Sequence, residues 1–124
     1  MDTTQYFYRN VIFTRKDGQI ALVDIHEPEH TTAMEDWLGI VVSLADGKHT
    51  LQQLIDYLTS QYPASAPKDL EKTIASVVER LAEGDMIKLS SNPVTLPYYL
   101  SEPIELLNLA VARQKMHEDG YTQH

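Results

Sequence analysis

The sequence of 124 residues predicts an α+β fold in which antiparallel strands precede a bundle of three helices. Two runs rich in β-branched and aromatic residues flank Asp17-Gly18, the residue pair that a tight hairpin prefers. Apolar residues then recur at helical spacing in three successive segments. A short strand, a turn and a last helical segment follow them. We therefore expect a winged-helix-like domain with a small hairpin and an extra C-terminal helix.

The N-terminal part is predicted to hold two clear strands and a weaker third. The first covers residues 6–13, and the second covers residues 19–25, where Ile20 and Leu22 share one face. Residues 26–32 are polar and interrupted by Pro28, so the signal for a third strand is weak. The outer edge of the predicted sheet lies in this third segment.

Capping patterns mark the starts of the first two helices. Thr32 and Glu35 match a capping box for the first helix, which is predicted to end at Asp46-Gly47. Thr50 opens the second helix with the same pattern, and a loop over residues 64–68 leads to the third helix, residues 69–83. A strand over residues 86–89 and a return strand over residues 94–99 form the predicted hairpin.

The last predicted helix, residues 103–116, lies outside the core architecture. We divide the chain into a domain of residues 1–100 and an extension of residues 101–124. The helix is apolar over more than one face, at Leu106, Leu107, Leu109, Ala110 and Val111. It therefore either packs on its own domain or offers a second face to a partner.

Composition excludes several functional classes. The chain has a net charge of −8 and no cysteine, so disulfides, zinc ribbons and thiol nucleophiles are excluded. It shows neither a secretory signal nor an apolar run long enough to span a membrane, and we expect a cytoplasmic protein without a membrane partner. The acidic balance disfavours binding to a nucleic-acid backbone, so no nucleic-acid partner is expected.

One literal metal motif is present. Residues 26–30 read His-Glu-Pro-Glu-His and satisfy H-E-x-x-H, which binds zinc when both histidines share one face of a helix. Pro28 disfavours a helix there, so a solvated polar connection competes with a small metal-dependent hydrolase as the interpretation. Phosphate-binding glycine loops and nucleophile elbows are absent from the sequence. We expect no catalytic residues, no metal and no cofactor.

Two binding functions remain for this architecture. A winged-helix transcription regulator would use the third helix on DNA, but its outward charges are mostly acidic, and residues 90–94 carry no Lys or Arg. Alternatively, the sheet edge takes an extended peptide as an added strand, with affinity from main-chain hydrogen bonds. The edge residues are equally well explained as ordinary surface residues that prevent aggregation.

The segment of residues 37–55 carries a resemblance to a known family. A helix ends in Leu44-x-Asp-Gly-x-x-Thr50, and a second helix with a Leu-Ile pair and a Tyr-Pro end follows. An amphipathic helix closing in Leu-x-x-Gly-x-x-Ile continues the match over residues 70–87. The chain resembles PqqD-like proteins, the peptide chaperones of ribosomally made, post-translationally modified peptides. The resemblance covers about residues 32–89 and is loose over the N-terminal strands.

The resemblance implies a non-catalytic protein that holds a precursor's leader peptide between the third strand and the third helix. It also implies a separate modifying enzyme as a partner, an iron-dependent or radical-SAM enzyme. Carried over by position, the peptide-binding residues are Glu29, His30, Thr31, Thr32, Lys72, Ile74, Ala75, Ser76, Val78 and Glu79. Lys72 and Arg80 would pair with acidic leader residues, and Ile74 and Val78 would floor an apolar pocket.

Overall fold

In the described part of the chain, six strands form two antiparallel sheets of three strands each. The computed structural model describes residues 1–62 and 69–121, so the predicted loop of residues 64–68 lies outside the described residues. The sheet orders are β5-β1-β6 and β2-β3-β4. The strands are β1 (Tyr6–Arg9), β2 (Phe13–Lys16), β3 (Gln19–Asp24), β4 (Glu27–Ala33), β5 (Asp46–Thr50) and β6 (Ile87–Ser90). The α+β class is confirmed.

Three long helices of the bundle and a C-terminal segment complete the described chain. The helices are α1 (Asp36–Leu44), α2 (Leu51–Ser60), α3 (Leu70–Glu83), the short α4 (Tyr98–Ser101) and α5 (Leu109–Asp119), with a 3₁₀ turn at Ile104–Leu106. The capping box of α2 is confirmed, because Gln53 N–H donates to Thr50 Oγ1 at 3.2 Å and Thr50 N–H donates to Gln53 Oε1 at 2.8 Å. None of the described helices has the length and apolar character that a membrane span requires.

The predicted hairpin between β2 and β3 is confirmed. Lys16 pairs with Gln19, and both turn residues, Asp17 and Gly18, adopt positive φ angles of 53° and 77°. These angles suit a two-residue turn whose twist matches that of the strands. The first predicted strand, however, is wrong in its extent, because β1 ends at Arg9 and only Phe13 of the predicted range belongs to β2, in the other sheet.

The third strand forms, and the first helix begins later in the sequence than predicted. Thr32 lies in β4 opposite Leu22, so it does not cap a helix, and α1 starts after Glu35. The expected capping box at Thr32 and Glu35 is therefore wrong. Pairing with β3 has used the backbone of Thr32, so the local cap pattern is overridden by the sheet.

The predicted hairpin after the third helix does not form. β6 pairs with β1, and residues 94–99 supply no return strand: Val94 N–H donates to Gly47 O at 2.8 Å, and Tyr98 begins α4. Instead, β5, which sequence analysis missed, completes the sheet on the other side of β1. The structure is thus α+β with two small sheets.

The β2-β3-β4 sheet lies between two apolar clusters. Phe13 and Ile20 belong to the main cluster with α1, α2 and α3, whereas Ile12, Val23 and Ile25 belong to a second cluster with the C-terminal segment. Buried Gly39 lets α1 approach β3, since a Cβ there would lie 2.9 Å from the Ile20 Cβ. Alternating side chains of one hairpin thus pack into two different apolar clusters, one on each face of the sheet.

The C-terminal segment packs on its own chain. The predicted single helix over residues 103–116 is wrong in its bounds, because a 3₁₀ turn precedes α5, which ends at left-handed Gly120. Ala112 and Met116 are buried in the second cluster, whereas Leu106 remains 66% exposed. Burial against the hairpin therefore accounts for the face of α5 with Ala112 and Met116, whereas Val111, on another face, is 40% exposed.

Buried Arg9 joins the two parts of the fold. Its guanidinium donates to Leu100 O at 2.6 Å, to Ser101 O at 2.8 Å, and to Val42 O and Ser43 O, the carbonyls at the end of α1, at 3.1 and 3.2 Å. It also lies 4.7 Å over the ring of Phe13. Burial lowers the pKa of Arg9 to about 10, which leaves it protonated at neutral pH.

Candidate functional site

The outer edge of β4 contains four of the ten predicted site residues. β4 pairs with β3 on one side, and within residues 1–62 and 69–121 no strand pairs with its other side. Glu29, His30, Thr31 and Thr32 all lie on this strand and are exposed. An unpaired edge presents a row of backbone donors and acceptors to an incoming chain.

Hydrogen bonds across the sheet identify which backbone groups face outward. Val23 N–H donates to Ile12 O toward β2, and Met34 N–H donates to Ile20 O from the β4 side, both at 3.2 Å. Backbone polar groups alternate in direction along an antiparallel strand. Since Val23 is opposite Thr31, and Ala21 is opposite Ala33, the N–H and C=O groups of Thr31 and Ala33 lie on the outer edge.

A bulge interrupts β4 before this outward pair. Glu27 is opposite Asp24, but the next register pair joins Thr31 to Val23, so residues 28–30 are inserted on the β4 side. His30 Nδ1 lies 2.6 Å from Glu27 Oε2, and both side chains are largely exposed. His26 lies in the turn before β4 and the rest of the H-E-x-x-H segment in bulged strand, so the segment does not form the zinc-binding helix. No cluster of three or more potential metal ligands occurs in the described parts of the chain.

The predicted residues of α3 divide between its surface and the core. Lys72, Ser76 and Glu79 are exposed, and Ala75 is half-buried. Ile74 and Val78 have 0% and 2% exposure and belong to the main cluster. Their side chains pack in the core beneath α3, so a substitution at either position would change the stability of the fold.

One ion pair connects the end of β4 to α3. Glu35, two residues beyond β4, places Oε2 3.7 Å from Nη1 of Arg80. Thr73 and Ser76 share the helical face of Arg80 because they precede it by seven and four residues. Ala75 lies about 140° around the helix from Arg80. The face of α3 toward Glu35 thus contains Thr73, which sequence analysis missed; its seven-residue spacing from Arg80 was the available signal.

The site is therefore a strand edge with a polar helix face near one end. We call it the β4 edge: the outward backbone groups of Thr31 and Ala33, with Ser76 and Arg80 on α3. It can form main-chain hydrogen bonds with an extended chain and offer one guanidinium to a carboxylate.

Comparison of the chain with family models, with curated proteins and with solved structures finds no match. A function can therefore be inferred from the geometry of the β4 edge, and from the resemblance carried by the residues around Asp46-Gly47. The β4 edge has the backbone groups with which an added strand would pair.

Proposed function

We propose that this protein binds the leader region of a ribosomally made precursor peptide and presents it to a separate modifying enzyme in the cytoplasm. The leader adds as a strand to β4, between β4 and α3. The outward N–H and C=O groups of Thr31 and Ala33 carry the proposal, because they can pair with a new strand without disturbing the existing sheet. The enzyme is of the iron-dependent or radical-SAM type that the resemblance implies.

The two faces of the sheet give the bound peptide two different surroundings. Peptide side chains on the face of Thr32 lie toward α1 and α3, because Leu22, opposite Thr32, packs against the main cluster. Side chains on the face of Thr31 lie toward the C-terminal segment, because Val23 belongs to the second cluster. Alternate peptide positions are therefore read by different parts of the protein.

Arg80 supplies the preference for an acidic peptide residue. Its ion pair with Glu35 is exposed on both sides, at 57% and 72% of the side-chain areas, and such pairs contribute only about 0–1 kcal/mol. A peptide carboxylate can therefore replace Glu35 at little cost. Exposed Lys72, two turns earlier on α3, offers a second cation for a longer acidic segment.

The test is calorimetric titration with synthetic peptides that cover the small open reading frames beside this gene. We expect dissociation constants on the order of micromolar for one leader, typical of strand addition with one charge contact. Thr31→Pro removes one outward N–H and should abolish the heat of binding. Thr31→Val keeps that N–H and should change the affinity less than about threefold. Circular dichroism melts confirm that both variants fold.

Three results would overturn the proposal. The first is equal binding by Thr31→Pro and Thr31→Val, which would place the peptide away from the β4 edge. The second is the absence of heat with every encoded peptide. The third is salt-sensitive binding to duplex DNA, which would favour the transcription regulator instead. That regulator finds little support in α3, where Glu71, Glu79 and Glu83 outnumber the exposed cations Lys72 and Arg80.

A further inference from the structure

A cavity of about 650 Å³ lies between the β2-β3-β4 sheet and α5. Its apolar lining includes Ile12 and Val23 from the hairpin and Met116 from α5, all buried in the second cluster. This volume falls within the range of about 300–1,000 Å³ that is usual for small-molecule sites. The cavity lies on the opposite face of the sheet from α1, away from α3, and its lining includes Thr31 and Thr32 of β4, so it adjoins the β4 edge.

The same cavity is lined by one acidic and one basic side chain that do not pair with each other. Arg113 donates through Nε and Nη2 to Ile25 O at 3.2 and 2.7 Å, which fixes its guanidinium and leaves both Nη1 hydrogens unused. Asp24 Oδ1 accepts the backbone N–H of His26 at 2.9 Å. Among the described residues neither Arg113 nor Asp24 has an ion-pair partner within 4.0 Å.

Three imidazoles lie around the same opening. His26 and His30 come from the β3–β4 connection and β4, and His117 comes from α5. Each imidazole can donate one hydrogen bond and accept another when it is neutral. The cavity thus combines an apolar floor with several polar groups of both signs.

We propose that this cavity binds a free α-amino acid with a large apolar side chain. The ligand carboxylate binds Arg113, the ammonium binds Asp24, and the side chain occupies the apolar floor. A simple organic anion would meet repulsion from Asp24, and a simple cation would meet repulsion from Arg113, whereas a zwitterion satisfies both charges. Binding of a free amino acid here requires no peptide at the β4 edge, and the side chains of a bound peptide on the face of Thr31 would lie beside the same cavity.

Proton–nitrogen correlation spectra of the full chain test the proposal, with L-phenylalanine as the probe. Two matched controls remove one charge each: 3-phenylpropionate lacks the ammonium, and phenethylamine lacks the carboxylate. We expect L-phenylalanine to shift the amides around Val23, Arg113 and Met116 with millimolar or tighter affinity, and both controls to bind at least about tenfold more weakly.

Variants connect the binding to the two charges. Asp24→Asn keeps the acceptor for the His26 amide, and Arg113→Met keeps the length of the side chain; each should weaken L-phenylalanine binding at least about tenfold. Lys115→Met, on the exposed face of α5, should leave it unchanged. If Arg113→Met does not fold, Asp24→Asn alone decides.

The proposal is overturned if about 20 mM L-phenylalanine shifts none of these amides, since that limits any affinity to a negligible value. It is equally overturned if the three probes bind alike, because recognition would then not involve both charges. The same conclusion follows if Lys115→Met weakens binding as much as Asp24→Asn does.

Discussion

Arg9 gives the most quantitative prediction for the stability of this fold. It is 3% exposed, and its guanidinium bonds four backbone carbonyls that come from α1 and from the C-terminal segment. Replacing Arg9 with Met keeps much of the apolar stem but removes all four hydrogen bonds. Val42 O retains a second donor, the Ala45 N–H at 3.3 Å, so the Leu100 carbonyl suffers the largest loss.

The expected cost follows from these bonds. A buried carbonyl left without a donor costs about 1–3 kcal/mol. The other three bonds, which are weaker or partly solvated, add about 1–2 kcal/mol together, because the variant no longer has the cost of burying a charge and this gain offsets part of their loss. Arg9→Met should therefore lower the free energy of unfolding by about 3 kcal/mol. Arg9→Lys should recover only part of this loss, because an ammonium lacks the planar arrangement of five donors.

Urea unfolding followed by circular dichroism measures both losses. Arg15→Met is the matched control, since Arg15 is exposed at the end of β2, and its substitution should change stability by less than about 0.5 kcal/mol. A loss below about 1 kcal/mol for Arg9→Met would refute the reasoning, because the four carbonyls would then have found water. An equal loss in Arg15→Met would refute it as well.

Three further predictions concern the backbone and two titrating groups. Gly47 has φ +78°, and a Cβ there would lie 2.4 Å from the carbonyl oxygen of Val94, in the segment after β6. Gly47→Ala should therefore cost over about 2 kcal/mol in urea unfolding, against about 1 kcal/mol for Gly120→Ala, where the space is open. Burial and a 2.9 Å hydrogen bond to Asp119 raise the pKa of Tyr99 to about 12, so the stability of the fold should fall as pH rises from 10 to 12. In a titration of absorbance at 295 nm, which follows tyrosine ionisation, Tyr99→Phe should remove the transition at the highest pH. Burial opposes ionisation of Glu105, but hydrogen bonds from β2 outweigh this effect and lower the pKa of its carboxyl group. The ionised carboxylate therefore stabilises the fold above its ordinary pKa, and this stability is lost as pH falls through the lowered pKa. Glu105→Gln should reduce the fall in melting temperature measured as the pH is lowered from 6 to 3.

Local chemistry in the sequence predicted the elements that depend on neighbouring residues. Asp17-Gly18 defines a two-residue turn through its positive φ angles, and Thr50 with Gln53 closes a capping box. The alternation of Ile20 and Leu22 with Val23 and Ile25 likewise matches the two clusters of the core. Each of these signals is complete within a few residues.

Features that depend on distant partners could not be predicted in the same way. Residues 6–13 show one continuous β pattern, yet β1 pairs with β5 and β6 while β2 pairs with β3. Residues 46–50 contain too few apolar residues to indicate a strand, and β5 forms because β1 lies beside them. Thr32 shows the opposite conflict, where a valid cap pattern yields to sheet pairing.

The sequence predicted which residues of the candidate site lie on the exposed strand, but only some of those on the surface of α3. The exposed residues of β4 follow from the weak third strand, but the bulge at residues 28–30 arises from its register against β3. On α3, the apolar positions Ile74 and Val78 fit the core stripe as well as a groove floor, and the structure buries both. The face near Glu35 became identifiable only through its contact with Arg80.

Hydrogen exchange at β4, in the free protein and with the encoded leader peptide bound, tests peptide addition most directly. In the free protein, the amides of Thr32 and Met34, which face β3, should exchange slowly, while those of Thr31 and Ala33 should exchange fast. Binding should slow Thr31 and Ala33 by about tenfold or more and change Thr32 little. Binding without added protection at Thr31 and Ala33 would contradict strand addition at this edge.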